Sequence, residues 1–165
     1  MGPNFRDILP MLTHGNVRFI VIGGGAATAH GSARVTYDVD VVYARDPENL
    51  HNVVVALQPY RPYLRGAPPG LPFLWDEQTL QAGLNFTLTT TLGDLDLLGE
   101  VAGGGSYERL LADSKEMDAF GVRCHFVTLE KLIQLKRAAG RPKDLEVIAE
   151  LQALLEERRA RESAS

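Results

Sequence analysis

The chain has 165 residues, 45 % of them apolar and 23 % charged, which suits one globular domain around one core. Its net charge of -4 argues against general electrostatic binding of nucleic acid and leaves room only for a local basic patch. No apolar run approaches the roughly 20 residues of a membrane helix, and a lone cysteine, Cys124, excludes a disulfide framework or a cysteine-based zinc site.

The opening "MGPNFRDILP" reads as neither a signal peptide nor a transit peptide, so a cytoplasmic protein with no membrane partner is expected. Residues 4–13 suit a short helix ending near Gly15. "VRFIVIG" is β-branched and aromatic enough for a buried strand. Ala26 to His30 suit a helix, and Gly31 suits its end. "TYDVDVVYA" reads as a second strand, and Asp46 as the cap of a helix over "PENLHNVVVALQ" with Pro47 at its first position.

A Pro/Gly-rich excursion over residues 59–72, "PYRPYLRGAPPGLP", reads as an ordered flap. Tyr60, Tyr63, Phe73 and Trp75 around it suit packing beneath it or stacking on a ligand. "NFTLTTTLGDLDLLGEV" reads as two strands joined at Gly93, Ser106 as the start of a short helix, and "KEMDAFGVRCHFV" as a hairpin turning at Gly121. Thr128 caps a helix over "LEKLIQLKRAA", Gly140 ends it, and Pro142 starts the last helix. The fold class expected is α+β, a mixed β-sheet with helices packed on it, as one domain over residues 1–160 with a frayed tail at 161–165.

Residues two apart on a strand share a face, so Asp38 and Asp40 project together from an otherwise apolar strand. Two ionised carboxylates so close raise each other's pKa, and a cation removes that cost. Oxygen ligands of this kind suit Mg²⁺. A second pair, Asp94 and Asp96, recurs in "GDLDLL"; if that strand lies beside the first, three carboxylates converge as in two-metal sites. The plainer alternative is a solvated strand face. Gly23-Gly24-Gly25 follow a strand, where backbone N–H groups can meet phosphate. As a dinucleotide fingerprint "GGGAAT" lacks the third glycine, and the acidic residue expected about 20 positions on would be Asp40, which has a better use beside Asp38.

Gly23-Gly24, a short helix and then Asp38-Val39-Asp40 between apolar residues resemble the DNA polymerase β-like nucleotidyltransferase superfamily, with Asp96 in "LDL" fitting its third carboxylate. "GGGAATAHGSARVTYDVD", with Arg34 and Thr36 before the aspartates, and "LIQLKRAAGRPKDLEVIAEL" near the end look most like AbiEii-type toxins and small antibiotic nucleotidyltransferases. The resemblance implies a nucleotidyltransferase-like fold in which an NTP binds with its triphosphate near Gly23 and Gly24, with Arg34 and Thr36 close by. It implies Mg²⁺, two ions with Mn²⁺ as a substitute, held by the catalytic Asp38, Asp40 and Asp96. An NMP would pass to a hydroxyl of an RNA, a protein or a small molecule, and an antitoxin or a second copy of the chain is the partner it suggests. A non-catalytic nucleotide- or partner-binding protein of the same fold is the alternative.

A triphosphate requires positive charge beyond the metals. In the helix after Thr128, Leu129, Leu132, Ile133 and Lys136 fall at i, i+3, i+4 and i+7, which puts Lys136 on the edge of the apolar stripe. It either snorkels to water or reaches the phosphates. Arg137, Arg141 and Lys143 add charge around Gly140, with Lys143 a further candidate for the nucleotide. Asp144 either complements a helix dipole or orients one of the lysines. His30 and His125 are expected to be structural.

Overall fold

The computed structural model describes residues 4–34 and 38–164. Helix α1 (Phe5–His14) buries Phe5, Ile8, Leu9, Met11 and Leu12 along one side and leads into the four-residue strand β1 (Phe19–Ile22), buried throughout. Gly23, at φ +64°, turns the chain straight from β1 into α2 (Gly23–Ala29). This helix begins three residues earlier than the sequence suggests, so the glycines form its first turn and not a loop before it. Strand β2 (Asp40–Tyr43) follows; residues 36–37, the start of the strand expected from the sequence, lie outside the described residues. Asp46 accepts the backbone N–H of Asn49 at 3.2 Å and caps α3 (Pro47–Leu57), as its place before a proline implies.

The Pro/Gly-rich excursion is ordered by pairing at one end and packing at the other. Strand β3 (Tyr63–Leu64) pairs with β4 (Asn85–Thr90), while the Trp75 indole N–H donates to the Val54 carbonyl of α3 at 3.1 Å. Phe73 lies edge-on to Tyr63 at 6.0 Å and 6.3 Å from Trp75, so the aromatic cluster packs the segment down. Helix α4 (Glu77–Ala82), capped by Asp76 through Thr79 N–H at 2.8 Å, was not expected from the sequence.

Strands β4 and β5 (Gly93–Leu98) form the expected hairpin, with Gly93 at φ +127°. A two-stranded ribbon, β6 (Glu100–Val101) with β7 (Gly105–Ser106), precedes α5 (Tyr107–Leu111). Strands β8 (Ser114–Ala119) and β9 (Val122–Val127) form the second expected hairpin. Thr128 caps α6 (Leu129–Ala139) through Lys131 N–H, and Gly140 ends it at φ +65°. Pro142–Asp144 form one 3₁₀ turn before α7 (Leu145–Ala164), which is helical as far as Ala164, within the segment read as a frayed tail.

The main sheet has seven strands in the order β3-β4-β5-β2-β1-β9-β8. Strands β1 and β9 pair in parallel, as do β2 and β5; β1 and β2 are antiparallel, so the sheet is mixed as expected. Its core is a continuous set of buried aliphatics that includes Ile20, Val21, Val41, Val42, Leu95, Leu97 and Phe126. Among the described residues no helix is long and apolar enough to cross a membrane.

Candidate active site

Pairing register gathers the acidic residues in the middle of the sheet. Ile22 of β1 lies opposite Asp40 of β2, and Asp40 lies opposite Asp96 of β5. In-register neighbours share a face, so Asp40 and Asp96 project together. The ladder extends one residue before β2, where Asp96 N–H donates to the Val39 carbonyl at 2.9 Å. Val39 is buried against the core while Asp38 is exposed at the mouth. The alternation read from "DVD" is therefore real, and Asp38 and Asp40 both line one cleft of about 250 Å³.

Gly23 is bound to this arrangement sterically. A Cβ on Gly23 would meet Asp40 Oδ2 at 2.8 Å, and its positive φ disfavours any side chain. The glycine lets Asp40 lie against the first turn of α2. Gly24 also lines the cleft. Gly25 serves packing instead, since a Cβ there would meet the Phe5 ring at 2.6 Å.

Burial acts first on the Asp40 carboxyl, joined by a hydrogen bond with Asp96 and by the negative charges of Asp96 and Asp38. Together they push it up to about 7 against the opposing positive charge of Arg65. A carboxyl crowded in this way marks a place where positive charge is wanted. Among the described residues no three acidic, histidine or cysteine side chains stand together in a finished metal cage. Asp96, 22 % exposed, is instead held by Arg65, whose Nη2 donates to Asp96 Oδ1 at 2.8 Å. Asp96 thus lies next to Asp40 but does not line the cleft. Nothing in the sequence singles out Arg65. Its approach depends on the short β3–β4 pairing, for which a proline-rich loop carries no local signal.

The opposite wall is basic, as the spacing of α6 suggests. Lys136, 14 % exposed, stands at the cleft with its Nζ 3.8 Å from Asp144 Oδ1. Arg141 Nε donates to Asp144 Oδ2 at 2.7 Å, so one buried carboxylate fixes two cations. Asp144 lies in the turn before α7 and lines the cleft, which favours the orienting role over the helix-dipole role. Lys143 lines the same cleft. Arg34 does so too, but its guanidinium is tied to Glu150 at 2.8 Å and Glu146 at 3.3 Å on α7. Thr36 lies outside the described residues. His30 is structural: it is buried, its Nε2–H donates to the Val127 carbonyl at 2.8 Å, and its Nδ1 accepts from Arg158 at 3.2 Å.

No protein-family model matches the chain, and no curated protein matches it. Among solved structures, it is similar to the crystal structure of a putative nucleotidyltransferase from Thermotoga maritima. That likeness has 14 % identity and a TM-score of 0.54, and it covers 90 % of this chain and 89 % of the other. At that identity it shows the fold: an α+β nucleotidyltransferase-like domain built on a mixed sheet.

Proposed function

We propose that this protein is a Mg²⁺-dependent nucleotidyltransferase that moves an NMP from an NTP to a hydroxyl of an RNA, a protein or a small molecule. The observation that carries the reading is the row across the sheet: Asp40 lies under Gly23 and opposite Asp96, at the foot of a cleft walled by Lys136, Arg141 and Lys143. The donor set fits a hard divalent cation. Asp38, Asp40 and Asp96 offer carboxylate oxygens only, and the neighbouring negative charges that push the Asp40 carboxyl up are what a cation would relieve. When bound, Mg²⁺ supplies Lewis-acid charge to phosphate and acceptor oxygens.

The chain's own residues do the rest. Phosphate would lie in the cleft lined by Gly23 and Gly24 beside α2, facing Lys143 and the Lys136 that Asp144 positions. The acceptor hydroxyl oxygen bonds to the α-phosphorus, the bond to the bridging oxygen of pyrophosphate breaks, and an Asp96 oxygen receives the hydroxyl proton. The AbiEii-like strings around Arg34 and "LIQLKRAAGRPKDLEVIAEL" support a toxin–antitoxin setting, with an antitoxin or a second copy of the chain as partner. The grip of Arg65 on Asp96 favours a second reading, a nucleotide-binding protein that does not transfer.

Incubation with each α-labelled NTP, Mg²⁺ and pooled RNA, protein or metabolites separates the two. We expect label on one acceptor class, and a loss of roughly a thousandfold in Asp40→Asn, since metal stabilisation of a transition state is worth several kcal/mol. Equal transfer by wild type and Asp40→Asn would sink the catalytic reading. Nucleotide binding without transfer to any acceptor would leave the binding protein.

A further inference from the structure

Arg65 stands just past β3, on the flap, where its backbone N–H extends the β3–β4 pairing by donating to the Thr87 carbonyl at 2.9 Å. Its side chain crosses β4 toward β5. Nη2 donates to the Leu88 carbonyl at 2.7 Å and to Asp96 Oδ1 at 2.8 Å, while Nε lies 3.3 Å from Asp94 Oδ2. The side chain is only 28 % exposed. Its Nε hydrogen is buried and has no acceptor in line, so the fork is not fully used. A saturated Arg–carboxylate brace would present two well-aligned bonds to one partner. Here one cation is divided among a backbone carbonyl and two carboxylates.

We infer that Arg65 is a displaceable counter-cation for Asp96: it holds that carboxylate while the metal site is empty and releases it to an incoming divalent cation, staying anchored on Leu88 and Asp94. This rests on the metal-dependent reading above. The argument is one of position. Asp96 has a neighbour on each side, Asp40 across the ladder and Arg65 from the flap, and both compete for its oxygens. Two cations on one carboxylate repel, so metal held by Asp40 and Asp96 weakens the Arg65 contact, and the Arg65 contact weakens metal binding by the same factor. After release Arg65 keeps a carbonyl and Asp94 within reach and is not stranded as a buried unpaired charge. The flap thereby sets the metal affinity of the acceptor side without touching the nucleotide wall, because Arg65 does not line the cleft.

The test is Mn²⁺ binding followed by electron paramagnetic resonance of free Mn²⁺, in a buffer containing a non-hydrolysable NTP analogue. Wild type, Arg65→Ala, Arg65→Lys and Asp40→Asn are compared. Displacement predicts tighter Mn²⁺ binding in Arg65→Ala, by roughly fivefold, the size of a modest ion pair. Arg65→Lys keeps the charge but loses the fork, so its affinity should fall between wild type and Ala. Melting temperatures supply the second readout: Arg65→Ala should melt lower than wild type without metal, and Mn²⁺ should close that gap. Equal Mn²⁺ affinity in all three Arg65 forms, with the same melting deficit with and without metal, makes Arg65 a fixed brace and overturns the inference while leaving the metal site standing. Mn²⁺ binding that ignores Asp40→Asn, or is absent from every form, overturns the metal-dependent reading and this inference with it. Should Arg65→Ala fail to fold, the comparison of Arg65→Lys with wild type decides.

Discussion

Asp40 is half-buried, with Asp96 opposite it and Asp38 nearby. Its carboxyl at about 7 means that the folded protein keeps a proton that the unfolded chain has lost above about 4. Between those values the native state binds more protons, so stability falls as pH rises through that window. Asn at the same position has no charge to desolvate. In metal-free buffer, Asp40→Asn should match wild type near pH 4 and exceed it at pH 8, by on the order of 2 kcal/mol after allowance for coupling to neighbouring groups and residual hydration. Urea melts of both forms across pH 4–8 check this, and a constant difference would show that Asp40 does not titrate in that window. The carboxylates themselves were legible in the sequence, since alternation on a strand follows from the pleat. Arg65 was not, because its contact depends on a two-residue strand deep in a loop. The separation of Gly23 from Gly25, one steric partner of Asp40 and one of Phe5, also required the packed structure.

At the scale of elements, the chain announced what local chemistry controls. Caps at Asp46, Ser106 and Thr128, and turns at Gly93, Gly121 and Gly140, all stand where the sequence places them. Non-local pairing was silent: β3 and the order of the main sheet come from long-range partners that no window of sequence contains. The docking of α7 is a case of both. Leu151 is fully buried on it, while Arg158 reaches back to the His30 carbonyl at 3.3 Å and to His30 Nδ1. Burial lowers the pKa of His30, with Arg158 and Lys115 assisting and the Val127 hydrogen bond and Glu130 opposing. The native state therefore resists a proton that the unfolded chain accepts below about 6.5, and this share of stability is lost as pH falls below that value. His30→Gln should lower the melting temperature at pH 7.5, because at least one buried hydrogen bond is lost, worth about 1–3 kcal/mol. Its deficit against wild type should shrink at pH 5. A deficit that does not change with pH would mean that His30 protonates freely in the fold.

For the molecule as a whole, charge balance decides how a triphosphate could be held. The net charge is -4, and the cleft brings Asp38, Asp40 and Asp144 to face Arg34, Lys136, Arg141 and Lys143. Most of that positive charge is already committed. Asp144 holds Lys136 and Arg141, and Glu146 and Glu150 hold Arg34, so among the described residues Lys143 is the cleft cation without an ion-pair partner. One uncommitted lysine is little positive charge for a triphosphate laid beside Asp38 and Asp40; on the metal-dependent function proposed above, divalent cations supply the surplus. The fold should therefore respond to NTP and Mg²⁺ together and to neither alone. At a ligand concentration 100-fold above Kd, binding stabilises by about 2.7 kcal/mol, or roughly 5–10 °C for a domain of this size. Thermal melts with NTP in EDTA, with Mg²⁺ alone and with both should show that rise only in the last. In Asp40→Asn the combined shift should largely vanish although the cations of the opposite wall are intact. A full shift from NTP in EDTA would place the nucleotide's charge on the protein's own cations, and the carboxylate row of β2 and β5 would then need another purpose.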